Sequence, residues 1–111
     1  MKLIVVPIDK EAEERLGLNQ NIESDLINVF LNQEDYDQLW ATSFFERINV
    51  DLNILIDDFE DESISGKENL KKLHSIIVEY EKNTPSNPIV STLKSLTEAA
   101  IRFETSVIFS F

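Results

Sequence analysis

The sequence contains no cysteine, which excludes disulfide staples, thiolate zinc sites and cysteine nucleophiles. Glycine occurs only at Gly17 and Gly66. Neither the phosphate-binding loop nor the dinucleotide fingerprint can be written with glycine at those positions. Two glycines and three prolines also leave little material for long irregular loops. The single histidine, His74, cannot anchor a usual zinc site without a cysteine or a second histidine. It falls just off the apolar stripe of its segment, one turn past Leu70, and reads as a flanking residue rather than a catalytic base. Serine and aspartate abound, but no Gly-x-Ser-x-Gly elbow exists to raise a nucleophile. No stretch approaches the roughly 20 apolar residues of a membrane span. The opening Met1-Lys2-Leu3-Ile4-Val5-Val6-Pro7 is too short for the apolar region of about 7–15 residues in a signal peptide. A cytoplasmic protein with no membrane partner is expected.

What is present is bulk and negative charge. The 111 residues, 42% of them hydrophobic, suffice for one domain spanning 1–111, and the richness in Leu, Ile, Val and Phe sets disorder aside. Twenty-one acids against ten bases leave a net charge of −11. Between Leu16 and Gly66 lie twelve acids and one base, Arg47, so this segment alone nets −11. The flanks hold nine of each and net zero. A concentrated charge of this kind contributes nothing to folding, and its self-repulsion weakens the compact state. An acidic surface keeps a protein soluble. It also speeds encounter with a basic partner and rejects wrong ones. Nucleic acid is disfavoured as a ligand, because its phosphates are repelled.

Along the chain, Lys2–Val6 predicts a short strand stopped by Pro7. Asp9 predicts an N-cap for a helix over Lys10–Leu16, with Gly17 as its stop. Ile22, Leu26, Val29 and Phe30 fall on one face of a helix. Asn32 ends that helix and caps the next, where Tyr36, Leu39, Trp40 and Phe44 continue the 3.6-residue period. The run Ile48–Phe59 fits both periods: Val50, Leu52, Ile54 and Ile56 alternate as a strand, while Ile48, Leu52, Leu55, Ile56 and Phe59 share a helix face. Helix is expected through about Asn53, followed by a connector over residues 57–66. Leu70, Leu73, Ile77 and Tyr80 mark a helix over Lys67–Lys82, broken by Asn83-Thr84-Pro85-Ser86. Asn87 caps a last helix with Pro88 at its first position, whose inner face is Ile89, Leu93, Leu96, Ala100 and Phe103. The end, Ser106–Phe111, alternates as a strand and is expected to pair with the first. The fold class is therefore mainly α within α+β: four to five helices with a short β element made by the terminal strands.

The acidic run fails two chemical tests. A calcium loop begun at Asp58 places Ser63 where glycine is needed and Asn69 where the closing glutamate belongs. Paired-carboxylate glycoside hydrolysis needs one buried carboxyl and a substrate cleft, and a dense exposed run shows neither. No enzymatic activity, metal or cofactor is expected.

Two stretches carry a resemblance, Phe44-Phe45-Glu46-Arg47-Ile48-Asn49 and Ile54-Leu55-Ile56-Asp57-Asp58-Phe59-Glu60-Asp61-Glu62-Ser63-Ile64. Together they resemble the immunity proteins of bacterial contact-dependent growth inhibition systems. The resemblance implies a protein that binds and blocks the C-terminal toxin domain of a secreted effector, many such domains being nucleases with basic clefts. Carboxylates would then stand in for phosphates, and the chain would be monomeric when free. No functional residues carry over from that family, so the candidate surface rests on charge. It comprises Asp57, Asp58, Glu60, Asp61 and Glu62, with Glu34, Asp35 and Asp37. Phe59, Trp40 or Tyr36 could supply an aromatic anchor of the sort found at binding hot spots, though core packing is the simpler role for each. The same surface suits an alternative function, an acidic nucleic-acid mimic or adaptor that binds a basic host protein. A third class, a small structural subunit, would leave a large exposed apolar patch.

Overall fold

The β-branched run after Lys2 forms β1 (Leu3–Pro7) and the chain's aromatic end forms β4 (Ser106–Ser110), in a computed structural model that describes residues 1–84 and 87–111. The two strands pair antiparallel, with Leu3 facing Ser110, Ile4 facing Phe109 and Val5 facing Ile108. This is the terminal pairing that the alternation predicts. An isolated pair would be marginal, and here it is not isolated. β2 (Leu26–Phe30) adds to the free side of β1, and β3 (Asp61–Ser65) adds to β4. The sheet order is β2-β1-β4-β3, so the terminal strands form its centre.

Both added strands correct the sequence reading. Ile22, Leu26, Val29 and Phe30 do not share a helix face. Instead, residues Glu23–Asp25 make one 3₁₀ turn, in which the Asp25 carboxylate accepts the Ile22 backbone N–H at 3.1 Å. Arg15 donates to the same carboxylate through two bonds, at 2.8 and 2.6 Å. The chain leaves this clamp extended, and Ile27 and Val29 face the core opposite Val6 and Ile4 while Asn28 stays exposed. The five residues satisfy a period of two as well as 3.6, and pairing of two β-branched positions against β1 decides between them. The second correction is residues 61–65, expected within a connector. They form an edge strand that buries one side chain, Ile64, opposite Val107. Charged residues suit an exposed edge because they discourage further pairing, and they hid the strand from a hydrophobicity reading.

The helices are α1 (Lys10–Gly17), α2 (Gln33–Ala41), α3 (Phe44–Leu52), α4 (Lys67–Asn83) and α5 (Pro88–Phe103). The expected caps are in place. Asp9 accepts from the Ala12 N–H, Asn32 from the Asp35 N–H, and Asn87 from the Ile89 N–H, with Pro88 opening α5. The helix expected to continue from α2 to about Asn53 is broken. The Thr42 hydroxyl and N–H both turn back to the Gln38 carbonyl, and Ser43 adopts φ +64° before α3 begins. That turn lets Phe44 and Phe45, adjacent in sequence, both enter the core. α3 then ends at Leu52 with Asn53 left-handed, and the strand alternative over Val50–Ile56 is not realised. Of the expected break after α4, residues 85 and 86 lie outside the described residues.

Ile4, Val6, Val107 and Phe109 on the inner face of the sheet meet Leu39, Phe45, Ile48, Leu73, Ile77 and Leu93 from α2 to α5 in one cluster. On the other face, Ser106 ties α1 down by donating to Glu13 at 2.7 Å. The register defines two ends of the sheet. Leu3, Phe30, Ser110 and Asp61 lie at one end, Pro7, Leu26 and Ser65 at the other. That distinction positions the charge. Among the described residues, no helix is long and apolar enough to cross a membrane.

Candidate functional site

The segment between α3 and β3 is built from a side-chain clamp outward. Asn49 accepts the Ile56 N–H at 2.7 Å and donates to the Ile56 carbonyl at 3.2 Å. This holds the chain just after α3 in place and sinks Ile56 into the core. The Asp57 carboxylate then accepts the Asp58 N–H at 2.8 Å, and the chain reverses through Phe59 at φ +62°. A bulky residue in the left-handed region is strained by about 1–2 kcal/mol, so the turn is imposed by what flanks it. On the far side, the Phe111 N–H donates to the Glu60 carbonyl at 3.2 Å, and the Ser110 hydroxyl donates to Asp61 at 2.8 Å. The acidic loop is thus fixed to α3 at one end and to the sheet at the other.

Asp58 is the exception within the acidic run. Its carboxylate pairs with the Lys2 ammonium and accepts the Tyr36 hydroxyl at 2.9 Å. The Lys2 contact, then the Tyr36 bond, hold its carboxyl below the usual carboxylate range. Burial, reinforced by Asp58, pushes the Tyr36 hydroxyl up. Asp58 therefore joins three parts of the chain: the segment before β1, the middle of α2 and the acidic loop.

This junction gathers the candidate residues. Glu34, Asp35 and Asp37 open α2, which starts three residues after Phe30 at the same end of the sheet as Asp61. Tyr36, between Asp35 and Asp37, reaches the loop through Asp58. Among the described residues, no lysine or arginine pairs with Glu34, Asp35, Asp37, Asp57, Glu60, Asp61 or Glu62. All are exposed except Asp35 and Glu62, which are half-buried. Of the aromatic candidates, Tyr36 is core and packs against Trp40, Phe45 and Phe111. Trp40 is half-buried beside it. Phe59 is 92% exposed and stands out of the loop. Leu55, 57% exposed in the same segment, is not singled out by the sequence, because its helical spacing from Ile48 assigns it to the core.

Two of the central acids serve the fold instead. Asp51 pairs with Arg47, which also holds Glu79. Asp25 is buried, and its hydrogen bonds from Arg15 pull its carboxyl down to about 2 despite the cost of burial. This pair is invisible in the sequence, since ten residues separate partners that only the 3₁₀ turn brings together. Because the Asp25 value lies below the ~3.9 of an unfolded aspartate, its stabilisation is complete above about pH 4 and is lost as pH falls toward 2. Asp25→Asn should lower the thermal midpoint at neutral pH and flatten its decline in that acid window. An acid limb identical to that of the parent chain would show that Asp25 does not control it. Among the described residues, no group of three or more His, Asp or Glu is arranged to hold a metal ion.

No family model matches the chain, and no curated protein sequence matches it. Among solved structures, the Neisseria DNA mimic protein DMP12 is similar over 100% of both chains, with a TM-score of 0.70 and 18% identity. At that identity the likeness shows a shared fold. The chain is thus an acidic protein that shares the fold of this Neisseria protein.

Proposed function

We propose that this chain is a nucleic-acid mimic, which binds a basic, nucleic-acid-binding protein and occupies its phosphate-binding surface. The carrying observation is the set of carboxylates that, among the described residues, have no lysine or arginine partner at the Leu3 end of the sheet, held on a loop anchored by Asn49, Asp58 and the C-terminal strand. Carboxylates on a fixed backbone present charge in a defined pattern, so a lysine or arginine surface shaped for phosphates can meet them with little ordering cost. The fold shared with the Neisseria DNA mimic protein supports this reading. Binding alone accounts for the action; no reaction is required of the chain.

The immunity reading is a narrower case of the same chemistry, in which the basic partner is a toxin nuclease domain. One observation favours keeping it: of the two stretches that carry the resemblance, residues 54–64 form this loop and most of β3, and residues 44–49 lie in α3, whose Asn49 holds the loop. Capture of the partner from the native strain, identified by mass spectrometry, separates the two. A chromosomal DNA- or RNA-binding protein supports the mimic, and the C-terminal domain of a secreted effector supports immunity. Recovery of only acidic or uncharged partners would contradict both.

The kinetics should carry a salt signature. Steering by exposed charge is screened over a Debye length of about 8–10 Å, so raising ionic strength should slow association much more than it speeds dissociation. An association rate unchanged between low and high salt would remove the electrostatic basis of binding.

A further inference from the structure

Lys2 sits in a cage. Its ammonium lies 4.1 Å from the centroid of the Tyr36 ring, 5.9 Å from that of Phe111 and 6.0 Å from that of Phe59, and it pairs with the Asp58 carboxylate. Ring faces within about 6 Å attract a cation through their quadrupoles, and an aromatic enclosure completed by an acid is the chemistry that recognises alkylammonium groups. The walls come from three separate parts of the chain: Tyr36 from α2, Asp58 and Phe59 from the acidic loop, and Phe111 from the end beyond β4. Phe59 adds an independent sign. It is 92% exposed at φ +62° and stacks on no other aromatic ring among the described residues, so the flanking contacts that impose the turn leave its ring without an aromatic partner. The cation nearest its ring face is the Lys2 ammonium, at the outer edge of the range over which a ring attracts a charge.

We infer that Tyr36, Phe59, Phe111 and Asp58 form a binding site for an alkylammonium group, closed in the free chain by the chain's own Lys2. When a basic partner docks on the adjacent carboxylates, one of its lysines takes the seat and the Lys2 side chain swings out. That the incoming cation belongs to a partner rests on the function proposed above; the cage itself does not. Exchange is feasible because Lys2 precedes β1 and its backbone carbonyl, which accepts the Leu31 N–H at 2.9 Å, need not move. Its side chain is only 16% exposed, so the seat is filled until something competes for it.

The test uses tetramethylammonium chloride as the probe, followed by NMR of the aromatic ring protons. Lys2→Ala empties the seat, and Lys2→Met keeps an uncharged stem within it. Lys2→Ala should show saturable shifts at Tyr36, Phe59 and Phe111, at probe concentrations about tenfold lower than the parent chain requires. Lys2→Met should show none, and Lys2→Ala with Phe59→Ala should lose most of the response. A folded Lys2→Ala chain that ignores the probe, or that responds equally without Phe59, would overturn the site. Should Lys2→Ala fail to fold, the parent chain decides. The Lys2 ε-methylene protons should be shifted upfield by ring currents, and a random-coil position would overturn the cage. A cage that takes tetramethylammonium in a chain that captures no basic protein would leave this site standing and remove the function proposed above.

Discussion

Deleting Ser106–Phe111 should abolish cooperative folding. The segment is no frayed tail, because β4 lies in the middle of the sheet and hydrogen-bonds to both β1 and β3. Val107 and Phe109 are fully buried, and Phe111 packs against Tyr36, Phe45 and Phe109. Truncating a single buried phenylalanine such as Phe109 to alanine costs about 3–5 kcal/mol. A domain of this size has about 5–15 kcal/mol in total. Removal of the strand takes away that side chain, three more apolar ones (Val107, Ile108 and Phe111) and the ladders on both sides, and leaves β3 with no neighbour. Circular dichroism during heating should show a broad transition or none. A truncated chain that melts as sharply as the full one would show that β4 is dispensable. Phe109→Ala provides the graded version, with a lowered midpoint and cooperativity retained.

Much of this architecture is legible in the sequence, and the failures have physical causes. The caps Asp9, Asn32 and Asn87 are local signals, and each acts as its chemistry predicts. The pairing of the termini is legible because the first segment is rich in β-branched residues, the last one alternates, and the sequence offers each no other clear strand to pair with. β2 is misread because Leu26-Ile27-Asn28-Val29-Phe30 fits two periods, and only contact with β1 selects one. β3 is misread because a charged edge strand buries a single residue, Ile64, too little for a pattern. The break at Ser43 rests on a positive φ at a residue that carries no glycine or asparagine signal. At the site, charge density marks the loop and the start of α2, which the fold brings to one end of the sheet. It does not separate acids that are free from acids that are bonded. Asp25, Asp51 and Asp58 are bound to Arg15, Arg47 and Lys2 through contacts between residues from 4 to 56 positions apart. Phe59 also escapes a clear assignment, because a turn at φ +62° expels a side chain that helical spacing places in the core.

The carboxylate surface yields the second large effect. Asp57, Glu60, Asp61 and Glu62 should be changed together to Asn or Gln, leaving Asp58 intact because it holds the loop to Lys2 and Tyr36. Side-chain volume is kept, and the amide oxygen in Asp61→Asn can still accept from the Ser110 hydroxyl, so the fold should lose little. Relief of like-charge repulsion should offset part of any loss. Binding should fall by at least about a hundredfold, through slower association and through lysines or arginines of the partner left without their counter-charge. The matching control removes the same number of charges from the Pro7 end of the molecule: Glu11, Glu14, Glu23 and Glu68, all exposed and without a lysine or arginine partner among the described residues.

The most direct measurement is the dissociation constant of the captured partner for these two variants, taken side by side at one fixed salt concentration. Both carry the same net charge, so the long-range field changes equally and only its location differs. The account predicts near-parental affinity for the Glu11, Glu14, Glu23 and Glu68 variant, and a loss of at least about a hundredfold for the Asp57, Glu60, Asp61 and Glu62 variant. Equal losses would show that net charge alone matters. A loss confined to the first variant would place the partner at the opposite end of the sheet and contradict the account.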